Sequence, residues 1–407
     1  MHVSDLSLED FRSYRRLVVS LEPGVTALIG PNGQGKTNLI EAVDYLSGLS
    51  SHRAGADTAL VRRAEPGGEQ PGGAVLRARV VHGRRPTVME LEIIAGRANR
   101  ARLNRGSVRP RELLGVLRTV LFSPEDLALV REEPAGRRRL LDDLAVTLRP
   151  ALAGVRAEHD KILAQRAGLL RSARAARTPT ASMLTTLEVW DAQLAAAASR
   201  LIAARIDVVE RLRPWVAGAY GAVSADPSPA FIAYRSSLAL HEGAPEPDPR
   251  TGGDRPEVEA GLADAGATAA RLEAAMGALR AREIDRGANL VGAHRDDLSL
   301  FLGPLPARGF ASHGEQWSLA LALRLASYEM LRHDVDAYGG DGEPVLLLDD
   351  VFSSLDDARR RALARLVAGA QQALVTAASE HDVPGELAGA RWRVDGSELS
   401  REPGAEP

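Results

Sequence analysis

Gly30-Pro31-Asn32-Gly33-Gln34-Gly35-Lys36-Thr37 follows the order G-x-x-x-x-G-K-[ST]. Each residue type there has a chemical reason. Glycines let backbone N–H groups close around a phosphate, and a helix starting at the last positions adds positive potential. Lys36 has the reach for β- and γ-phosphates, and the Thr37 hydroxyl can hold Mg²⁺. The only other lysine is Lys161; the remaining cationic chains are arginines. Such a chain keeps lysine where a compact point charge is needed and a planar fork does not fit.

A phosphate loop of this kind needs a carboxylate from a neighbouring strand to hold the metal and orient water. Val345-Leu346-Leu347-Leu348-Asp349-Asp350 supplies one. Four apolar residues ending in two acids read as a buried parallel strand with its carboxylates at the ligand-binding end of an open α/β sheet. Asp349 is expected to reach Mg²⁺, and Asp350, the candidate catalytic acid with Lys36, to polarise the attacking water. Between the two halves, Ser312-His313-Gly314-Glu315-Gln316 opens a helix and could cap a second anion. On its own this turn is weak, since many helices begin with Ser or Gly.

The elements that must position these residues are legible in outline. Val25–Ile29 reads as a short buried strand before the loop, and Thr37 onward as the helix after it. Val3–Leu8, Arg16–Leu21, Val75–Val81 and Val88–Ile94 alternate apolar and polar, as half-buried strands do. Thr119–Phe122 is a short apolar strand, and Ser123-Pro124-Glu125-Asp126 looks like a helix start. The middle changes character. Leu187, Leu194, Leu201, Val208 and Trp215 are spaced by seven, as are Leu141, Leu148, Val155, Ile162 and Leu169, with Pro150 starting a new helix inside the second series. Two readings stand: a short antiparallel coiled arm with limbs of about 40 Å, or an ordinary helical bundle. His241–Pro256 reads as a linker, followed by a helix to about Ile284. The last third returns to strand–helix alternation: Leu298–Leu302, a helix near Glu315–Arg332, Val345–Asp349, a helix at Ala358–Ala368 and a strand at Ala373–Thr376.

With 407 residues and 45% hydrophobic composition, the chain is long enough for two or three domains. It has no cysteine, which excludes disulfides and thiolate metal sites. The opening residues carry acids and no apolar core of a signal peptide, and no apolar run reaches membrane-spanning length, so a soluble cytoplasmic protein is expected. Net charge is −3, which does not announce a nucleic-acid partner. Locally, Arg97, Arg100, Arg102, Arg105, Arg109 and Arg111 fall in a stretch without an acid. They could track a DNA backbone or simply solvate a loop.

The motifs taken together carry a family resemblance. LEDFRSYR, GPNGQGKTNLIEAV, LFSPEDLALV, RRRLLD, GAHRDDL, FASHGEQWSLALALRLA and LLLDDVFSSLD, in this order from Leu8 to Asp356, resemble the RecF family of SMC-like ABC ATPases. PEDL and HRDD beside the Ser312 turn are not general ATPase features, so the set is specific. The resemblance implies an α/β fold: an ABC-type P-loop ATPase head, with a mixed sheet and helices, plus an inserted α-helical arm of short antiparallel coiled-coil character. The segments implied are 1–122 and 289–400 for the head, 123–288 for the arm, and 401–407 as a disordered tail.

The resemblance also implies a slow, Mg²⁺-dependent ATPase that switches DNA binding. ATP binding falls to Gly30, Pro31, Asn32, Gly33, Gln34, Gly35, Lys36 and Thr37, with Arg12 near the base or phosphates. Metal binding falls to Thr37 and Asp349. Ser312, Gly314, Glu315 and Gln316 form the signature turn that acts across an ATP-dependent homodimer. Glu125 and Asp126 occupy the region of a metal-sensing residue in other ABC heads, and His294 and Arg295 are further candidates to line the site. The implied partners are gapped or single/double-strand junction DNA, RecO and RecR, with RecA downstream, and no membrane. Three positions depart from the family pattern: Trp317 for a basic residue, Ser354 for an acid, and His313 for a glutamine. The alternatives are another SMC-like head, which needs a far longer arm, and a transporter-type subunit, against which the long insert and PEDL argue.

Overall fold

The computed structural model describes residues 1–64, 68–176, 179–224, 228–249, 256–335 and 342–402. The strands in chain order are β1 (His2–Phe11), β2 (Tyr14–Ser20), β3 (Gly24–Ile29), β4 (Gly73–His82), β5 (Arg85–Ile94), β6 (Arg100–Leu103), β7 (Gly106–Val108), β8 (Thr119–Phe122), β9 (Ala230–Arg235), β10 (Asp297–Leu302), β11 (Leu305–Pro306), β12 (Val345–Leu348), β13 (Gln372–Ala377), β14 (Gly389–Asp395) and β15 (Glu398–Arg401). The helices are α1 (Lys36–Gly48), α2 (Ala128–Arg131), α3 (Ala135–Leu148), α4 (Leu152–Ala175), α5 (Ala181–Val223), α6 (Ser237–His241), α7 (Pro256–Ala263), α8 (Ala265–Arg286), α9 (Ala307–Phe310), α10 (His313–Arg332) and α11 (Asp357–Ala368).

The chain forms two compact units. The first comprises Met1–Leu127, Ala219–Asp226 and Ala320–Pro407; the second comprises Ala128–Gly218 and Pro227–Leu319. Residues 289–319 thus group with the helical insert rather than with the third expected segment, 289–400. The reason is pairing. β10 is antiparallel to β9 from Asp297↔Arg235 to Leu302↔Ala230, and Arg137 of α3 forks onto Asp297 at 2.8 and 2.9 Å. The expected disordered tail 401–407 starts too early: Arg401 ends β15, paired with Trp392 of β14, and 403–407 lie outside the described residues, as do 250–255 of the expected linker.

In the first unit two sheets share a core with α1. One sheet is antiparallel, ordered β2-β1-β4-β5-β6-β7; the other is ordered β15-β14-β3-β13-β12-β8. Alternation puts Leu6 and Leu8, Leu76, Ala78 and Val80, and Met89, Leu91 and Ile93 on the inner face of the first sheet. Leu39, Ile40, Val43 and Leu46 of α1 fill the space against Leu28, Leu347 and Leu374 of the second. Spacings of three and four give α1 this apolar face. In the second sheet β8, β12, β13, β3 and β14 run parallel and only β15 is antiparallel. Its central strands are buried on both faces and mostly apolar, with Thr26, Gln372 and Thr376 the buried polar side chains on β3 and β13.

In the second unit the heptad positions Leu187, Leu194, Leu201 and Val208 are all buried. At 1.5 Å per residue α4 is about 36 Å long and α5 about 65 Å, so the limbs are unequal. A third helix shares the seam. Buried Arg166 of α4 donates to Asp191 of α5 at 2.6 Å, to Glu283 of α8 at 2.6 Å and to Asn289 at 2.5 Å. The helix expected from 256 to 284 is interrupted at Asp264, whose carboxylate caps α8 by accepting from the N–H groups of Gly266 and Ala267.

Candidate functional site

The loop Gly30–Gly35 joins β3 to α1, and its shape depends on two glycines. Gly35 caps α1 at φ 109, where a side chain is strained. A Cβ on Gly30 would sit 2.1 Å from the Val394 carbonyl oxygen of β14, so only glycine lets that strand pass. The loop is also gripped from outside. The Gly396 N–H donates to Gln34 Oε1 at 2.7 Å, the Ser397 N–H to the Gln34 carbonyl at 3.1 Å, and the Tyr14 hydroxyl to the Gly35 carbonyl at 3.1 Å. Pro31, Asn32 and Gly33 are exposed at the rim.

Lys36 is buried, and its ammonium donates to the Gly30 and Pro31 carbonyls at 2.5 and 2.9 Å. Burial lowers its pKa, while Asp350 and Asp349 oppose that. Thr37 Oγ1 donates to Asp349 Oδ1 at 2.9 Å, and Thr376 Oγ1 donates to the same oxygen at 2.8 Å. Burial raises the Asp349 carboxyl, and the two threonine hydroxyls and nearby His52 and Arg53 work against it. Asp350 follows the end of β12 at φ 51, a left-handed conformation unusual for a non-glycine. Its N–H donates to Thr376 Oγ1 at 2.8 Å, and its Oδ1 is buried with no hydrogen-bond partner.

These residues fit a triphosphate with a divalent cation. The loop offers backbone donors and an ammonium; Thr37 and Asp349 offer two oxygens at one point; Asp350 has an unsatisfied oxygen beside them. Among the described residues no ready-made cluster of three or more His, Asp or Glu could hold a metal alone. Such a cation therefore needs the oxygens of its nucleotide as well as the protein's.

Other expected site residues stand elsewhere. The Arg12 guanidinium is engaged on the Glu41 carboxylate at 2.8 and 2.6 Å and on the Ala59 carbonyl at 2.8 Å. In this geometry it braces α1 against the Asp57–Leu60 turn. Ser312 and Glu315 form a capping box at the start of α10: the Ser312 N–H donates to Glu315 Oε2 at 2.6 Å and the Glu315 N–H to Ser312 Oγ at 3.4 Å. Gln316 donates to the Ala311 carbonyl at 2.6 Å and accepts from Arg131 at 2.5 Å, while His313 also contacts Arg131. Gly314 lies within this first turn. Trp317 is buried, so that departure adds core volume and no exposed ring. Ser354 is exposed at the end of a short turn before α11 whose first residue, Phe352, is buried.

The PEDL segment forms a 3₁₀ turn, Pro124–Leu127, that leads directly into the short helix α2. Buried Asp126 accepts from the Ser123 N–H at 3.0 Å and from Arg324 at 2.9 and 2.6 Å, which is a structural use; Glu125 is exposed. His294 and Arg295 both turn to the Asn289 carbonyl inside the second unit. Asp296 accepts from the Tyr234 hydroxyl and from the Ser237 N–H and hydroxyl, each at 2.7 Å. HRDD is thus the knot of that unit's interior.

The arginine run also reads differently in space. Arg100 and Arg102 lie on β6, opposite Glu92 and Glu90 of β5. Glu90 accepts from Arg77 at 2.7 Å and from Arg102 at 3.1 Å, and Arg100 stands 3.9 Å from Glu92. Arg97 and Arg105 are exposed in the turns at either end of β6. The sequence stretch lacks acids, but its partner strand supplies them.

The residue that sequence reasoning passed over is Thr376. Its signal was a hydroxyl at the carboxyl end of an apolar parallel strand, the same end that carries Asp349. The clasp of the β14–β15 turn on Gln34 was also missed, because Gly389–Asp395 is mostly exposed or half-buried and does not alternate clearly.

A phosphate loop between a central parallel strand and a helix, facing an acidic strand end, with an antiparallel sheet stacked on α1, defines an ABC-type ATPase head of the SMC-like class. The sequence profile of the RecF/RecN/SMC N terminal domain matches residues 2–385. The chain belongs to the RecF family. It is 56% identical to the DNA replication and repair protein RecF of Beutenbergia cavernae, over 98% of this chain and 100% of that protein. Identity to the RecF of Frankia alni is 53%, over 98% and 100%. Among solved structures, the recombination mediator protein RecF with ATP superposes with a TM-score of 0.79 at 24% identity, covering 98% and 99% of the two chains. An Smc head bound to the C-winged helix domain of ScpA superposes at 0.55 and 16% identity, covering 99% and 98%.

Proposed function

We propose that this protein is a slow Mg²⁺-dependent ATPase that uses ATP to close a dimer on DNA during replication and recombinational repair. The observation that carries the reading is the convergence of Thr37 and Asp349, with Lys36 and the unpaired Asp350 oxygen beside it. ATP supplies the γ-phosphate whose presence distinguishes the closed from the open pair. Gly30–Gly35 present backbone N–H groups to phosphate oxygens, and Lys36 exchanges its two carbonyl partners for them. Thr37 Oγ and Asp349 hold Mg²⁺. Asp350 Oδ1 is the acceptor for a proton of the attacking water. One carboxylate without an adjacent histidine is a modest base, which accords with slow turnover.

In this reading Ser312 and Gly314, with Glu315 and Gln316 behind them, complete the phosphate site of a second copy through the N-terminus of α10. Arg97 and Arg105, and to a lesser degree the partly neutralised Arg100 and Arg102, contribute to a DNA-binding face on gapped or junction-containing duplex. RecO and RecR are the partners, RecA is loaded downstream, and the protein works in the cytoplasm. No helix among the described residues is long and apolar enough to cross a membrane.

Sedimentation with and without ATP and gapped duplex tests this. The expected result is a doubling of mass with ATP and a DNA-bound dimer, both lost in Lys36→Arg. A protein that stays monomeric under every condition, or binds DNA equally without ATP, overturns it.

A further inference from the structure

Thr376 has one hydroxyl, and the structure uses it in two directions. It lies on β13, is 1% exposed, and follows Val375, which pairs with Leu348 in the parallel register. That register sets Thr376 beside Asp349. The hydroxyl accepts from the Asp350 N–H at 2.8 Å and donates to Asp349 Oδ1 at 2.8 Å. A backbone N–H can only donate, so the hydroxyl proton is committed to Asp349. Both acids are therefore fixed through one atom on a third residue.

Two consequences follow from this geometry. Asp349 Oδ1 accepts from Thr37 and Thr376 together, which leaves Oδ2 as the oxygen outside these bonds. When Thr37 turns its oxygen to a cation, Thr376 still holds Oδ1 and the carboxylate keeps its orientation. At Asp350 the backbone is left-handed, and the bond from its N–H pins that turn, directing Oδ1 into a place with no protein partner.

We infer that Thr376 is the positioning residue of the hydrolytic site, setting the metal-side acid and the water-side acid through a single hydroxyl. The inference rests on the roles proposed above for Asp349 and Asp350. Ligand-orienting partners of this sort change metal affinity or activity by about 10- to 100-fold when lost.

The test compares Thr376→Val, which keeps the shape and loses both bonds, with Thr376→Ser, which keeps the hydroxyl. Equilibrium binding of a fluorescent ATP analogue is titrated with Mg²⁺, alongside steady-state hydrolysis and thermal unfolding. In Thr376→Val the Mg²⁺ concentration for half-maximal nucleotide binding rises by about 10-fold or more and kcat falls by a similar factor. Binding of the analogue without Mg²⁺ stays unchanged, and Thr376→Ser stays within about twofold of the parent. A folded Thr376→Val with parental Mg²⁺ dependence and kcat overturns the inference. Should Thr376→Val not fold, Thr376→Cys keeps the volume and weakens both bonds; the same shift with smaller amplitude is expected, and no shift overturns it. A parent protein that binds no nucleotide at any Mg²⁺ concentration instead sinks the proposed function itself.

Discussion

Thr37 and Asp349 are 312 positions apart in the chain and meet through a 2.9 Å hydrogen bond. The contact is made by topology. β3 leads to Thr37, β12 leads to Asp349, and β13 lies between them in register with both. Three parallel strands ending at one level bring a hydroxyl, a carboxylate and a second hydroxyl to one point. A ligand held there senses strands from opposite ends of the sequence.

Lys36 is the first place to test that point. Lys36→Met removes an ammonium but keeps a buried apolar stem, so the fold is expected to survive. Charge-assisted hydrogen bonds contribute about 1.5–3 kcal/mol each, so ATP affinity falls by roughly 10- to 100-fold. Calorimetric titration measures this, and an unfolding midpoint near the parent's without nucleotide separates it from misfolding.

The buried network of the second unit gives a stability prediction. Arg166 faces Asp191 and Glu283, all three buried. Removing one partner leaves uncompensated buried charge, a loss of about 3–5 kcal/mol. Arg166→Met is expected to lose that much in urea unfolding followed by helical circular dichroism. Adding Glu283→Gln recovers part of it, since Asp191 keeps Arg280 at 2.7 Å and Glu283 is the carboxylate that Arg166 leaves unpaired.

His294 makes stability depend on pH with a definite sign. Burial lowers its pKa from 6.5 to about 3; the Asn289 carbonyl opposes this, and the charges of His159, Arg295 and Arg138 add to it. Between those values the unfolded chain holds a proton there that the folded chain does not. Unfolding free energy therefore falls as pH drops through this window, by up to about 1.4 kcal/mol per pH unit. His294→Gln is expected to make the slope between about pH 6.5 and pH 4 shallower by up to one proton. An unchanged slope in denaturation at several pH values counts against the depressed imidazole.

The arginine face makes a prediction that sequence alone would invert. Arg105→Ala and Arg97→Ala are each expected to lower the salt slope of duplex binding by up to about 0.9. Glu90→Gln frees Arg77 and Arg102, so it is expected to strengthen binding and steepen the slope. Fluorescence anisotropy at several salt concentrations decides this, and a Glu90→Gln variant with unchanged affinity places the DNA elsewhere.

What the sequence showed, and what it hid, follows from the range of each signal. Gly30–Thr37 and Val345–Asp350 were legible because local chemistry forces their composition. α4 and α5 were legible because their buried faces repeat every seven residues. Pairings between distant segments were not. The acids that neutralise Arg100 and Arg102 sit on the preceding strand of a hairpin, invisible within the run itself. β9 escaped because Ala230–Arg235 is short and irregular, although a proline-bounded apolar run was its signal. The partner of Arg12 was hidden too: the buried carboxylate of Glu41, 29 positions away on α1, pairs with it at 2.6 Å. Trp317 stands at a position where the family pattern suggested a surface charge, yet α10 turns it inward.

The place of β3 in its sheet bears on how the protein is made. Its neighbours are β13 and β14, drawn from residues 372–377 and 389–395, and the turn after β14 holds Gln34. A nascent chain that has exposed the phosphate loop has not yet synthesised either strand that flanks it. Throughout most of translation the loop has neither sheet nor clasp, and a ribosome-bound chain is expected to be blind to nucleotide. Closing so long a loop is slow. The most recognisable motif in the sequence is thus among the last to become a site.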